Sequence, residues 1–415
     1  MRDTLIVLNY QREIPPFAQT VLYHADKVFR RVVYVTPQLY NDNRDACRCE
    51  KLQVEQISRG KRIKKLLKMP AFLLQKETVK QIKVAAKHRG LNGKFAKNLL
   101  AYGICGDMLF ERVKQMIEAG DVIPEKSVIL AAWFHVEAFA GSKLKKAYPA
   151  LRVVSYAHAF EINEAANKQA FFSMNVCKHS GCDEIAFIAK TTQQRYLSKL
   201  TTIYPHLQTD NVTVKYLGSE KLFPQALALR SGDGILRLVS CSSAVEVKRI
   251  HLIVDALAQS NARIHWTHMG GGPLLKQLEQ YAQEKLSGKE HITYAFTGAL
   301  KNSQVHRWYL EEPVDLFVNV SESEGLPVSI MESLSYGVPV IATDVGGTKE
   351  IVTEETGFIL PKDFAVNQLT ELMEAYGALD EQSKRNYGKQ ANAFWVENLD
   401  ATCNAVAFLS RQIQK

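Results

Sequence analysis

The sequence lacks a long hydrophobic run and is poor in proline and glycine. Its 415 residues contain no stretch near the 18 consecutive apolar residues that would indicate a transmembrane helix. The apolar run Leu5–Leu8 near the start is too short for the hydrophobic region of a secretory signal. The 13 prolines and 23 glycines exclude a fibrous or low-complexity chain. We therefore expect a globular, cytoplasmic protein.

Cysteine is also scarce, and the seven residues make an odd number. They are scattered along the chain, which is typical of reduced thiols rather than of a disulfide framework. Cys177, His179 and Cys182 lie close in sequence, but no second ligand pair stands at metal spacing. We expect no bound metal and no cofactor.

Positive charge is concentrated in residues 51–97. The whole chain carries +9, and this segment alone carries about +12, opposed only by Glu55 and Glu77. Apolar residues at partly helical spacing share the segment: Ile63, Leu66, Leu67, Phe72, Leu73 and Leu74. Such a basic amphipathic stretch is typical of an element that binds an anionic membrane surface; the alternative is a solvated helix face. We expect no nucleic-acid partner, because neither a recognition motif nor interleaved aromatic residues accompany the charge.

Short runs rich in β-branched residues alternate with helical patterns along the chain. Most runs are continuously apolar, which is typical of parallel strands covered by helices on both faces. The predicted strands are Leu5–Leu8, Val32–Thr36, Val128–Ala132, Val153–Tyr156, Ile185–Ile188, Val212–Leu217, Leu236–Cys241, Ile264–Met269, Ile292–Phe296, Leu316–Val320, Pro339–Thr343 and Gly357–Leu360. This pattern predicts the α/β class.

Residues 217–234 divide these strands into two series. The stretch contains Gly218, Pro224 and the sequence Ser-Gly-Asp-Gly at 231–234, which interrupts helices and strands. We predict two doubly wound, Rossmann-like domains, residues 1–218 and 219–390, each large enough for its own core. Ligands of such sheets bind at the carboxyl ends of the strands, so we expect a site in a cleft between two facing domains.

The most informative segment is 321–347, which follows a predicted strand directly. Gly325 permits a close backbone approach to a ligand, and Pro327 suits the first turn of a helix. A helix that begins at the carboxyl end of a strand is an anion site, above all for phosphate.

Two glutamates, Glu324 and Glu332, flank this helix start with seven residues between them. The two oxygens of a carboxylate can accept hydrogen bonds from both hydroxyls of a diol. Such a pair at an anion site suits a ligand with hydroxyls on both sides of its phosphates, which is the layout of a nucleotide sugar. The alternative, which the pair alone would favour, is a solvated strand–helix turn with incidental glutamates.

The glutamates stand in Glu-Gly-Leu-Pro-Val-Ser, followed at 337–347 by Gly-Val-Pro-Val-Ile-Ala-Thr-Asp-Val-Gly-Gly. This pattern resembles the donor-site signature of the family 4 retaining glycosyltransferases, which have the GT-B fold. The turn Met269–Leu274 and the strand end Phe296–Gly298 also match, and the resemblance covers residues 235–365.

The resemblance implies roles for particular residues. Glu324 would bind the donor sugar, Glu332 the ribose and Lys248 the diphosphate. Most members have an arginine where this chain has Ser243, so either Arg249 replaces it or Lys248 acts with backbone amides alone. The implied donor-binding residues are Ser243, Arg249, Gly271, Gly298, Gly325, Leu326, Pro327, Val328 and Glu332.

The N-terminal half resembles the family less. Residues 152–162 are similar to the strand and loop in which many members read His-Gly-x-Asp, with His158 retained and Glu161 in place of the aspartate. The resemblance implies that His158 lies beside the donor sugar and phosphate. It also implies that the tail, residues 391–415, forms a helix that crosses back onto the N-terminal domain.

Taken together, the resemblance implies a retaining, metal-independent glycosyltransferase with His158, Lys248 and Glu324 as catalytic residues. It would move a sugar from a nucleoside-diphosphate sugar, its co-substrate, to a glycan or lipid-linked acceptor in polysaccharide biosynthesis. The first domain would bind the acceptor and the second the nucleotide sugar, at the inner face of the cell membrane. The alternatives are a sugar-nucleotide epimerase or phosphorylase of the same fold, or a non-catalytic membrane- or nucleic-acid-binding protein.

Overall fold

The computed structural model describes residues 2–11, 16–37, 52–57, 69–87, 91–158, 161 and 175–414. The chain forms two compact units. One combines the described residues of Met1–Leu217 with those of Ala401–Lys415, and the other is Gly218–Asp400.

The sheet of the first unit has seven parallel strands among the described residues. They are β1 (Thr4–Leu8), β2 (Arg31–Pro37), β3 (Leu52–Ile57), β4 (Ser127–Ala131), β5 (Arg152–Ala157), β6 (Glu184–Phe187) and β7 (Val212–Val214). Their order is β3-β2-β1-β4-β5-β6-β7, so the direction of winding reverses between β1 and β4. This reversal makes the carboxyl ends of β1 and β4 the favoured ligand position in this sheet.

Helices cover both faces of this sheet. They are α1 (Pro16–Val28), α2 (Met69–Leu73), α3 (Lys76–Lys87), α4 (Gly93–Ala101), α5 (Asp107–Glu118), α6 (Val136–Ala147), α7 (Asn175–Gly181) and α8 (Lys190–Ile203), with a π-helical turn at Tyr102–Gly106 and a 3-10 turn at Pro124–Lys126. Side chains alternate along β1, so Ile6 and Leu8 enter one core while Leu5 and Val7 enter the other. The continuous apolar runs in the sequence reflect this burial on both faces.

The second unit repeats the arrangement with six parallel strands. They are β8 (Leu236–Cys241), β9 (Ile264–Met269), β10 (Ile292–Phe296), β11 (Leu316–Asn319), β12 (Val340–Thr343) and β13 (Gly357–Leu360). The helices are α9 (His251–Gln259), α10 (Leu275–Leu286), α11 (Asn302–Glu311), α12 (Val328–Ser335), α13 (Val366–Gly377) and α14 (Glu381–Asn398), with 3-10 turns at Glu246–Lys248 and Thr348–Glu350. The order β10-β9-β8-β11-β12-β13 reverses between β8 and β11, and the loops after these two strands carry the candidate site.

Each predicted strand is present, and the structure adds β3. Its sequence, LQVEQI, mixes three polar with three apolar residues within the basic segment, and it lies at the edge of the sheet. With three polar residues in six, it lacks the continuous apolar run that identified most of the others.

The C-terminal tail differs from the expectation that a single helix over 391–415 crosses back. Residues up to Asn398 continue α14 in the second unit, where the indole N–H of Trp395 donates to Ser219 Oγ at 2.9 Å. The last helix, α15 (Ala401–Gln414), belongs to the first unit and buries Phe408 and Leu409 in its core. The crossing therefore begins about ten residues later than predicted, because Trp395 is needed to complete the packing of the second unit.

The basic segment is described only in part, since residues 51, 58–68 and 88–90 lie outside the described residues. Phe72 is buried in the core, whereas Leu73 is 39% and Leu74 is 80% exposed. In the parts of the chain that the structure describes, every helix is too short or too polar to cross a bilayer.

Candidate functional site

The candidate site begins where α12 starts, just beyond the carboxyl end of β11. The first helical hydrogen bond runs from the Met331 N–H to the Pro327 carbonyl at 3.3 Å. The preceding amides, Val328 to Ile330, therefore have no acceptor within the helix, and the positive end of the helix dipole lies beside them. Val328 is 54% exposed, so this end of the helix is open to solvent. The arrangement is suited to bind an anion.

An ion pair joins the loops that follow β8 and β11. The Lys248 Nζ donates to Glu324 Oε1 at 2.6 Å, and the Asn319 side-chain amide donates to the same oxygen at 3.3 Å. The Glu322 N–H bonds to the Val247 carbonyl at 2.8 Å, which fixes one loop against the other. The contacts of Glu324 with described side chains fall on Oε1, so Oε2 can accept from a ligand.

A pair of glycines holds the Glu324 loop from the other side. Gly346 has a φ of +58°, and a Cβ atom there would lie 2.0 Å from the Glu324 carbonyl oxygen. The neighbouring Gly347 N–H donates to the Gly325 carbonyl at 2.7 Å. Only glycine permits this approach of two backbones. The Gly-Gly at the end of the sequence motif thus positions the glutamate at its beginning.

Glu332 lies in α12 and is buried. The Asn302 side-chain amide donates to its Oε1 at 2.6 Å, and His306 Nε2 lies 3.8 Å from the same oxygen. Burial raises the pKa of Glu332 to about 7, although the hydrogen bond from Asn302 opposes the rise. In Glu332, as in Glu324, the contacts with other described side chains fall on Oε1, so Oε2 can accept a hydrogen bond from a ligand.

The glycine-rich turn after β9 packs against the loop after β8. The Gly270 N–H bonds to the Gly298 carbonyl at 2.9 Å, and the Ala244 N–H bonds to the Gly271 carbonyl at 2.8 Å. Gly271 and Gly298 therefore have a structural role in backbone pairing, and their contact with a donor stays a prediction. Ser243 is exposed in the same loop.

Arg249, suggested as a replacement for the missing arginine, bonds to three backbone carbonyls. Its Nε donates to the Val320 carbonyl at 2.8 Å, and its Nη2 donates to the carbonyls of Lys362 at 2.9 Å and Ser321 at 3.3 Å. These bonds tie the ends of the strands together and direct the guanidinium toward backbone oxygens. Whether Arg249 or Lys248 with backbone amides holds the diphosphate stays a prediction.

In the first unit, His158 follows β5 and is buried. Its ring lies against Trp133, with centroids 4.5 Å apart, and its Nε2 is 3.4 Å from the Ala132 carbonyl oxygen. Burial lowers the pKa of His158 to about 4, so the ring is neutral at pH 7. A neutral imidazole at this position can donate or accept a hydrogen bond but adds no charge.

Sequence reasoning missed several buried polar residues. Asn302 and Asn319 hold the two glutamates of the second unit, while Glu137 and Lys178 lie 3% and 1% exposed in the first. In the sequence, a single polar residue within a helix cannot be distinguished from one that faces solvent. The burial of these residues depends on residues that are distant in sequence. Among the described residues, no three His, Cys, Asp or Glu side chains are grouped as metal ligands.

Comparisons with known proteins agree with this architecture. The crystal structure of HepE (Alr3699) of Anabaena in complex with UDP superposes with a TM-score of 0.64 at 14% identity, covering 99% of this chain and 98% of HepE. The lipopolysaccharide core biosynthesis mannosyltransferase LpsB of Rhizobium meliloti (strain 1021) is 35% identical over 95 residues, which are 22% of this chain and 25% of LpsB. The O-antigen biosynthesis glycosyltransferase WbnH of Escherichia coli is 30% identical over 132 residues, 31% of this chain and 34% of WbnH. The chain thus matches only a quarter to a third of the length of these curated relatives.

The two parallel sheets and this structural similarity define a protein of the GT-B fold class. Residues 228–394, which include the ion pair, α12 and Glu332, match the family described as Glycosyl transferases group 1. Through this segment, which is less than half of the chain, the protein is similar to that family.

Proposed function

We propose that this chain is a retaining glycosyltransferase that moves a sugar from a nucleoside-diphosphate sugar to a hydroxyl of a glycan or lipid-linked acceptor, in surface-polysaccharide biosynthesis. One observation carries the proposal. Lys248, the solvent-exposed start of α12 and the carboxylates of Glu324 and Glu332 lie together beyond β8 and β11, where the winding of the second sheet reverses. The UDP bound to HepE and the activities named for LpsB and WbnH support the same assignment. The second unit binds the donor, and the first unit binds the acceptor.

Lys248 and Glu324 exchange partners in this proposal. Without a donor, the lysine is paired with the glutamate at 2.6 Å. A diphosphate carries more negative charge than one carboxylate, so it draws the ammonium toward the helix start. Glu324 is then released to accept hydrogen bonds from the sugar hydroxyls, while Glu332 accepts those of the ribose.

The chemical step breaks the bond between the sugar's anomeric carbon and the diphosphate oxygen. The acceptor oxygen bonds to the same carbon on the same face, and its proton passes to a diphosphate oxygen. Lys248 and the amides at the start of α12 stabilise the charge that develops on the departing diphosphate, which is the largest electrostatic demand of the reaction. His158, which is neutral, provides a hydrogen bond to the sugar or leaving group.

A lipid-linked acceptor requires access to a membrane, and the first unit has a suitable surface. Large apolar side chains on and beside α2–α4 are exposed: Leu73, Leu74, Leu91 and Leu100. Lysines at 76, 80, 83, 87, 94 and 97 share these segments, with Glu77 as their one acidic residue. Exposed leucines among lysines suit an anionic bilayer, because the apolar groups insert while the ammonium groups meet the phosphates. We therefore place the enzyme at the inner face of the cell membrane.

The donor is identified first, by thermal shift against UDP-, GDP- and ADP-sugars. A ligand at a hundred times its dissociation constant adds about 2.7 kcal/mol to stability. Release of nucleoside diphosphate is then measured with and without a lipid extract that contains glycan acceptors. We expect release that depends on the acceptor and is lost in Glu324→Ala while nucleotide binding persists. Release without transfer to the extract, or full activity of Glu324→Ala, would contradict the proposal.

A further inference from the structure

A network of buried charged groups lies at the carboxyl ends of β1, β4 and β5 in the first unit, and the proposed reaction does not use it. Its members are Glu137, Glu161 and Lys178, which are each no more than 4% exposed. Each holds backbone groups of the loops that follow these strands. Burying three ionisable side chains is costly unless their hydrogen bonds are made, so the network has to serve the geometry of these loops.

Glu161 connects two neighbouring strand ends. Its Oε1 accepts from the Phe134 N–H, which lies beyond β4, and its Oε2 accepts from the His158 N–H, which ends β5, both at 2.7 Å. Both carboxylate oxygens are therefore engaged by backbone donors. Burial raises the pKa of Glu161, while these two N–H groups and the nearby Lys178 ammonium oppose the rise.

Lys178 binds the carbonyl group of the same residue, Phe134. Its Nζ donates to the Phe134 carbonyl at 3.0 Å and to the Tyr102 hydroxyl at 3.1 Å. Phe134 thus has its N–H fixed by an acidic side chain and its carbonyl by a basic one. The residue before it, Trp133, presents the ring on which the His158 imidazole lies.

We propose that Glu161 is a positioning residue for His158. It fixes the backbone of the histidine directly, and it fixes the Trp133 ring through Phe134. This inference rests on the proposed function, since it assigns Glu161 an effect on sugar transfer. The substitution Glu161→Gln tests it, because the glutamine amide must place an NH2 group against one of the two backbone N–H donors. A 1 Å displacement of a reacting group can cost about a hundredfold in rate.

Glu137 provides a matched control. Its Oε1 accepts from the Tyr10 N–H at 2.8 Å, and a glutamine can retain that bond through its amide oxygen. Glu137→Gln therefore removes an acidic group near the same lysine without opposing two donors. The thermal unfolding midpoint shows that each variant is folded, and binding of the nucleoside diphosphate identified by thermal shift, which we assign to the second unit, shows that the donor site is intact.

The experiment is a double-mutant cycle between Glu161→Gln and His158→Ala. Nucleoside-diphosphate release from UDP-, GDP- and ADP-sugars in the presence of the acceptor extract is followed with enzyme in excess, so that slow variants remain measurable. We expect Glu161→Gln to lower the rate by about tenfold or more with little change in donor KM, and Glu137→Gln to stay within about twofold of the wild type. In the His158→Ala background, Glu161→Gln should cost less than about a further twofold, because the two residues act together.

Equal losses in both backgrounds, or equal rates for Glu161→Gln and Glu137→Gln, would overturn the positioning role while leaving the glycosyltransferase assignment intact. The absence of transfer by the wild-type chain would overturn both proposals.

Discussion

The Lys248 ammonium donates to the Glu324 carboxylate at 2.6 Å, across the loops that follow β8 and β11. The pair joins the two strands between which the winding of the second sheet reverses. In the proposed reaction both residues contact the donor, one at its diphosphate and the other at its sugar. The ion pair is therefore the arrangement that a donor has to replace, and its strength affects nucleotide affinity.

Substituting Glu324 by glutamine should separate binding from transfer. Removing the competing carboxylate frees Lys248, and a half-buried ion pair of about 1 kcal/mol corresponds to about fivefold tighter UDP binding. Transfer should fall sharply, because the amide replaces one of the two carboxylate acceptor oxygens with an NH2 donor and removes the negative charge. Calorimetry and the release assay measure both. Glu322→Gln is the control, since its exposed pair with Lys362 lies next to the site, and weaker UDP binding by Glu324→Gln would contradict this account.

Donor affinity should depend on pH through Glu332. Its pKa, raised by burial to about 7, leaves the side chain ionised above that pH and neutral below it. The neutral acid loses an acceptor oxygen, so the Kd for UDP should rise as pH falls from about 8 to about 6, by up to about tenfold. Glu332→Gln should flatten this profile, and the comparison removes the titration of UDP itself. Parallel profiles for the two proteins would show that Glu332 does not bind the ribose.

Gly346→Ala should damage the site through the backbone. The added Cβ would lie 2.0 Å from the Glu324 carbonyl oxygen, so the loop has to shift. We expect a loss of about 2–4 kcal/mol in the free energy of unfolding and about tenfold weaker UDP binding. Gly232→Ala serves as the control, because Gly232 has a φ of +64° and no atom within 4 Å of the added Cβ. It should cost only about 1–2 kcal/mol and leave binding unchanged. Equal effects of the two variants on UDP affinity would contradict the proposed packing.

Membrane binding should depend on exposed leucines as well as on charge. The double variant Leu74→Ser and Leu100→Ser should bind vesicles with anionic lipid about tenfold more weakly, since two inserted leucines contribute several kcal/mol at most. Ile123→Ser is the control, because Ile123 is 48% exposed in the same unit but outside α2–α4. Co-sedimentation measures both. Equal binding of the wild type to neutral and anionic vesicles would favour the alternative of a solvated helix face.

Much of the fold follows from local pattern. Central strands such as β8 and β11 are buried on both faces, so their apolar runs are continuous and easily recognised. Edge strand β3 has polar residues at positions 53, 55 and 56, and pattern alone did not separate it from the basic segment around it. The end of α14 was also missed, because the packing of Trp395 against Ser219 joins residues 176 positions apart.

Some residues of the candidate site could also be predicted from local sequence, whereas others could not. Glu324 and Glu332 could be identified because they stand in a long motif that begins at the end of a predicted strand; the spacing of the two glutamates alone would not have identified them. The backbone contacts of Arg249 could not be predicted, since a left-handed backbone at φ +47° directs its side chain toward carbonyls that are distant in sequence. Glu137 and Lys178 gave no signal because their partners come from other strands and helices.

The most direct test of the central claim is the affinity of nucleoside diphosphates for the Lys248→Met variant. Calorimetry with UDP, GDP and ADP should find one that binds the wild-type chain, and the variant should bind that nucleotide at least about tenfold more weakly, because a charge-assisted bond to the diphosphate is lost. Undiminished affinity in Lys248→Met, or no binding of any of the three by the wild-type chain, would contradict the assignment of this loop to a sugar donor.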